Sequence, residues 1–127
     1  MWNFKRLEAW QRTRQLIVDI YQLTSLFPKS EQFGMTTQMR RAANSIGANI
    51  AEGCAREGEK DRARFLETSI ASAHELEHHL ILVSDVGLAD PDRTVELIGE
   101  LEQIRKMTTA LRLRSLNGPG RRLQSDI

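Results

Sequence analysis

The sequence predicts an all-α protein, an antiparallel up-down four-helix bundle, and three observations point there. Apolar residues recur at the three-four spacing of a helical face over four long segments. No segment alternates with the period of two that a strand requires. Only 3 Pro and 8 Gly punctuate 127 residues, which leaves long runs unbroken. With 40% hydrophobic and 28% charged residues, the composition excludes wholesale disorder and suits one domain with a single core. We expect the bundle over residues 1–116, with helices at about 4–26, 36–53, 59–86 and 91–115, followed by a flexible basic tail at 117–127.

In the first helix Leu16, Ile20, Leu23 and Phe27 share one face, and Trp10, Ile17 and Tyr21 form a second stripe beside it. A face that wide suits a helix with neighbours on two sides. Pro28 disfavours helical geometry in the residue before it, so the helix stops there and 30–34 connect. The second helix starts at Thr36 or Thr37, whose hydroxyl can cap free N–H groups. Its buried side is Met39, Ala42, Ala43, Ile46 and Ile50, rich in small residues that permit close approach. Gly47 inside that helix costs about 1 kcal/mol relative to Ala, so it signals a packing need or a bend. Residues 54–58 read as the turn. The third helix carries Leu66, Ile70, Ala73, Leu76, Leu80 and Val83 in register and ends at Gly87. Asp90-Pro91 then combines an N-cap acceptor with a proline at the first helical position. Leu97, Leu101, Ile104, Thr108 and Leu111 continue the fourth helix until Asn117-Gly118-Pro119-Gly120 stops it. Short connections make sequential helices antiparallel.

Cys54 is the lone cysteine, so no internal disulfide forms and nothing points to an oxidising compartment. No window approaches the ~20 apolar residues of a membrane span, and the N-terminus lacks a signal-peptide core, so a cytoplasmic protein without a membrane partner is expected. The formal net charge of +1 conceals a segregation. Chain order places the start of the first helix, the end of the second, the start of the third and the end of the fourth together. Lys5, Arg6, Arg12, Arg14, Arg56, Lys60, Arg62, Arg64, Arg105, Lys106, Arg112 and Arg114 collect there. Glu75, Glu77, Asp85, Asp90, Asp92, Glu96, Glu100 and Glu102 collect at the other end. Glu57, Glu59 and Asp61 on the basic side, and Arg40 and Arg41 on the acidic one, are exceptions. The helix dipole explains Asp90 and Asp92 but not the basic starts of the first and third helices. A basic end can instead meet phosphates, with affinity that falls as salt rises. The candidate contacts are Arg12, Arg14, Arg62, Arg64, Arg105, Lys106, Arg112 and Arg114, toward RNA or DNA. Without interleaved aromatics, such binding is backbone-driven.

His74-Glu75-Leu76-Glu77-His78 matches H-E-x-x-H, two histidines one helical turn apart with a glutamate as general base for zinc hydrolysis. A catalytic zinc needs a third protein ligand, and the remaining histidine, His79, points to a different face. The E-x-x-H element of di-iron bundles needs a second copy on another helix, and all three histidines lie between 74 and 79. Cys54 and the serines lack the partners of a nucleophilic site. The expectation is a protein that is not an enzyme, with no metal site and no cofactor. Solvated residues on a helix face account for H-E-x-x-H.

The stretch from Gln38 through Arg40-Arg41-Ala42 to Ser45-Ile46, Asn49-Ile50-Ala51-Glu52-Gly53 resembles the four-helix-bundle family of proteins encoded in intervening sequences of bacterial 23S ribosomal RNA genes, with its Q-x-R-R-A and S-[IV]-x-x-N-I-A-E-G. Leu7, Trp10, Phe27-Pro28, Phe33-Gly34, Arg56, Phe65-Leu66 and Glu75-Leu76-Glu77 agree, over about residues 4–113. Gly47 stands where proline is common, and His74 and His78 where small or polar residues are usual. The resemblance implies a homo-oligomer, a pentamer. It also implies kinship with the accessory variability determinant of diversity-generating retroelements, hence a reverse transcriptase as partner. Arg40 and Arg41 point about 100° apart on a helix, so one can pair with Glu52, Glu75 or Glu77, within or between subunits, while the other faces solvent. Arg40, Arg41, Asn49, Glu52 and Gly53 are read as structural or interface residues, with ligand binding as the alternative.

Overall fold

The fold is known from a computed structural model, which describes residues 2–117; the expected tail beyond Asn117 lies outside the described residues. A 3-10 turn at Phe4–Arg6 leads into α1 (Glu8–Thr24). A second 3-10 turn at Lys29–Glu31 precedes α2 (Met35–Cys54), which is followed by α3 (Glu59–Asp85) and α4 (Pro91–Leu116). Among the described residues there is no strand. α1 packs on α2 and α4, and α3 packs on the same two, so four helices close around one core.

One stripe on each helix supplies that core; of the second stripe expected on the first helix Trp10 and Ile17 pack against it half-buried and Tyr21 is exposed, and Ile70 on α3 is half-buried. Leu16, Ile20, Leu23 and Phe27 of the first segment are buried. So are Met39, Ala42, Ala43, Ile46 and Ile50 on α2, and Leu66, Ala73, Leu76, Leu80 and Val83 on α3. α4 adds Leu97, Leu101, Ile104, Thr108 and Leu111. Burying each large aliphatic side chain contributes about 1.5–3 kcal/mol. Buried hydroxyls are satisfied locally: Thr13, Thr24 and Thr108 donate to carbonyls one turn back. Ser69 Oγ crosses to the Ile46 carbonyl at 2.9 Å.

The helix boundaries differ from expectation in two places. The first helix does not begin at Phe4. Asn3 caps a 3-10 turn, Leu7 turns extended with its side chain fully buried, and α1 starts only at Glu8. Burial of Leu7 outweighs the local preference for continuing a helix. At the start of α2 neither Thr36 nor Thr37 is the cap. Thr36 is buried, Thr37 donates to the Gln32 carbonyl, and Gly34 occupies the N-cap without a side-chain bond. Glu31 serves from a distance, its carboxylate accepting from the Met35 N–H at 3.4 Å. The fourth helix starts as read, with Asp90 accepting from the Asp92 N–H and Pro91 in the first turn. Gly87, at φ 79°, ends the turn after α3. Gly47 faces α1, where a methyl group would be at the edge of ordinary contact, so packing alone does not demand glycine. A Cβ there would lie 3.4 Å from both Ile17 and Thr13 of α1.

Candidate nucleic-acid interface at the basic end

Antiparallel order brings the start of α1, the end of α2, the start of α3 and the end of α4 toward one end, and the segments that meet there are rich in cations. Residues 2–15, 48–68 and 104–117 hold twelve Lys or Arg against six Asp or Glu, while 16–47 and 69–103 hold four against ten. The side chains at the basic end are not equally available. Arg12 forks onto Glu100 at 2.8 and 2.6 Å. Glu100, counted toward the acidic end in sequence, reaches Arg12 because α1, ~25 Å long, spans only part of α4, ~39 Å long. Arg93 and Asp19, 3.8 Å apart, link the same two helices further along. The side-chain hydrogen bond from Arg12 holds the Glu100 carboxyl below its ordinary range and raises the guanidinium.

A depressed carboxyl stabilises the fold above the ordinary carboxylate range and loses that contribution as pH falls through its folded value. Glu100→Gln is therefore expected to lower stability at neutral pH and to flatten the acid side of the stability–pH curve. Each partner is about a third exposed, so the effect stays below about 1 kcal/mol; urea titrations at neutral and acidic pH measure it.

Arg62 is the largest departure from the expected contact set. It is 5% exposed, with its guanidinium 4.3 Å over the Trp2 ring and its Nε buried without a partner. Burial pulls its pKa below the ordinary value. Trp2 is itself pinned, its N–H donating to the Cys54 carbonyl at 2.9 Å. Arg62 therefore fastens the N-terminal segment to the α2–α3 corner and presents almost nothing to solvent. Cys54 beneath is buried, and desolvation pushes its thiol up to about 11, so it is an unreactive core residue.

Arg64 bonds Asp61 at 2.5 Å, Lys106 sits 3.3 Å from Glu102, and Arg112 3.4 Å from Glu67. Arg105 is half-buried, its Nε without a partner, and Arg114 is half-buried in the last turn of α4. Arg14 is exposed, 5.8 Å from the Trp10 ring. Lys5, Arg6 and Lys60, counted in the basic end but not among the candidate contacts, are exposed and without an ion pair among the described residues. Their signal in sequence was position alone: they sit on a short turn and a first helical turn, where few neighbours reach them.

The family-motif residues divide between two tasks. Arg40 turns to α1, donating to Thr24 Oγ1 at 2.9 Å and lying 4.5 Å over the Tyr21 ring, while Arg41 is exposed. The two diverge as the helical geometry requires, and neither forms an ion pair with Glu52, Glu75 or Glu77 among the described residues. Asn49 donates to the Ser45 carbonyl and hydroxyl, and Glu52 is exposed. Gly53 marks a close approach of α2 and α3, where a Cβ would fall 3.0 Å from Phe65 Cβ and 3.3 Å from the Arg62 carbonyl.

In the H-E-x-x-H segment His74 and His78 are exposed, and His79 is buried with Nε2 3.2 Å from Glu75. Glu75 thus faces the third histidine. No group of three metal-ligating side chains occurs among the described residues. His74→Ala and His78→Ala should each move stability by less than about 0.5 kcal/mol. His79→Ala, which empties a buried site, should cost about 1–3 kcal/mol in a denaturant titration.

The sequence pattern of the 23S rRNA-intervening sequence protein family matches residues 5–110. The chain belongs to that family. Its fold is similar to a solved structure from Bacteroides thetaiotaomicron, described as a protein of unknown function from the S23 ribosomal protein family. The two share 23% identity and a TM-score of 0.76, over 82% of this chain and 97% of the other. Among curated proteins none matches the sequence. Neither the family description nor that structure names an enzymatic activity. For this family member, no described helix is long and apolar enough to cross a membrane.

Proposed function

We propose that this protein is a non-enzymatic, homo-oligomeric module that binds nucleic acid, or an enzyme acting on nucleic acid, through the basic end of its bundle. The observation that carries this reading is the twelve-to-six excess of cations over the segments of one end against four-to-ten over the rest of the described residues. Lys5, Arg6 and Lys60 are its exposed cations without an ion pair among the described residues, and Arg14, Arg64, Lys106 and Arg112 can exchange an internal or ring partner for a phosphate. Arg62 leaves the contact set. A reverse transcriptase is the enzyme partner this reading includes, and a pentamer its assembly.

Fluorescence anisotropy with generic RNA and duplex DNA across a salt series tests it. Affinity should fall steeply with salt, and reversing Lys5, Arg6 and Lys60 to Glu should reduce it at least about tenfold and flatten the salt slope. Absence of binding at low salt, or binding indifferent to that reversal, overturns it.

A second reading, an oligomer that binds protein only, is supported by the opposite end. Leu26, Phe33 and Val86, each well exposed, occupy connections there among acidic residues. Monomer interiors draw such side chains in, and exposed groups of them mark contact surfaces. Light scattering that finds an assembly, together with no nucleic-acid binding, selects this reading.

A further inference from the structure

The groove between α2 and α3 contains a cavity of about 380 Å³ lined by Gln38, Arg41, Ala42, Ser45, Ser72 and Glu75. Its lining residues lie outside the segments counted in the basic end. At its floor the Ser45 and Ser72 hydroxyls lie 2.7 Å apart, and Asn49 Nδ2 donates to Ser45 Oγ at 3.0 Å. That arrangement has a proton to spare. Of two hydroxyl hydrogens only one can lie between the two oxygens, and the other has no acceptor among the described residues. Both serines line the cavity, so the acceptor for that proton comes from what occupies it, solvent or ligand.

The walls add donors. Among the described residues Arg41 is exposed and has no ion pair or side-chain hydrogen bond, whereas Arg40 is engaged by Thr24 and the Tyr21 ring, and the Gln38 side-chain amide has no hydrogen-bond partner. Opposite stands Glu75, one oxygen of which faces His79 Nε2 at 3.2 Å while the other has no partner among the described residues. The cavity therefore combines a donor side, made of a guanidinium, an amide and a hydroxyl, with an acceptor side made of one carboxylate oxygen.

We propose that this cavity is a binding site for a carboxylate that carries an N–H donor beside it, as in a free amino acid or the C-terminal residue of a peptide. The guanidinium fork matches a carboxylate in two parallel hydrogen bonds, and the spare serine proton and Gln38 amide supply further donors. The ligand's N–H faces Glu75. A dianionic phosphate is disfavoured because Glu75 repels it at close range. With few ligand atoms and an open groove, affinity is roughly millimolar.

An NMR titration of the full chain with glycine, N-acetylglycine, acetate and inorganic phosphate tests the assignment. Glycine or N-acetylglycine should give saturable shifts at the backbone amides of residues 38–45 and 72–75. Tighter glycine binding identifies a free amino acid, and tighter N-acetylglycine binding a peptide C-terminus. Arg41→Gln should weaken binding at least about tenfold, Arg41→Lys less, and Ser72→Ala severalfold, with the helical circular dichroism of the Arg41 variants unchanged because the side chain is exposed. The proposal is overturned if neither ligand saturates these shifts, if phosphate binds as tightly, if acetate matches glycine, or if Arg41→Gln binds like the parent. None of these outcomes depends on the basic end.

Discussion

Gly53→Val is expected to destabilise the fold by about 3 kcal/mol or more, enough to remove a large share of a small domain's stability. Even the first added carbon would stand 3.0 Å from Phe65 Cβ and 3.3 Å from the Arg62 carbonyl. Neither neighbour is the far end of a flexible side chain, so α2 and α3 must separate. Gly53→Ala sets the same clash against a helix-propensity gain of about 1 kcal/mol, and should still lower stability. Urea denaturation followed by circular dichroism measures both. A Gly53→Ala protein more stable than the parent would show that the helices can part without loss. The contrast is Gly99 on α4, where a Cβ meets nothing within 4 Å. There Gly→Ala should stabilise by up to about 1 kcal/mol.

Ile46→Ala should cost about 2–5 kcal/mol. Ile46 is fully buried in the middle of α2, and its carbonyl receives the cross-helix bond from Ser69. The residues around it, on helices pinned at several levels, have little freedom to collapse into the space. Ile46→Val, which removes one methylene, should cost only about 0.5–1.5 kcal/mol. If the two variants were equally stable, the centre of the bundle would be loosely packed.

Much of this architecture is legible in the sequence because helical burial is periodic. Leu16, Ile20 and Leu23, or Leu97, Leu101 and Ile104, announce a face by spacing alone, and Asp90-Pro91 announces a start by its chemistry. What spacing cannot convey is anything settled by contact between distant segments. Leu7 breaks the helix because a core pocket receives it, and Arg62 is withdrawn because Trp2 covers it. Both depend on where the first residues dock. Similarly, charge order gives the sign of each end, but only packing decides that Arg12 is engaged with Glu100 while Lys60 has no ion pair among the described residues. The Arg40–Arg41 pair divides its duties as helix geometry dictates, yet the partner of Arg40 is Thr24 with the Tyr21 ring, and none of the acids considered. The cavity beside Arg41 was invisible for the same reason, since Ser45 and Ser72 are 27 positions apart.

The placement of Trp2 and Trp10 has a practical consequence for spectroscopy. They are the chain's two tryptophans, so intrinsic emission comes almost wholly from its first ten residues. One ring lies under the Arg62 guanidinium, and the other meets the Phe4 ring edge-on at 4.9 Å. A melt followed by emission therefore reports release of the amino-terminal segment, whereas far-ultraviolet ellipticity reports the helices as a whole. Should the emission change come first on heating, the gap between the two curves measures the undocking of that segment from an otherwise intact bundle, and calls for no folding intermediate.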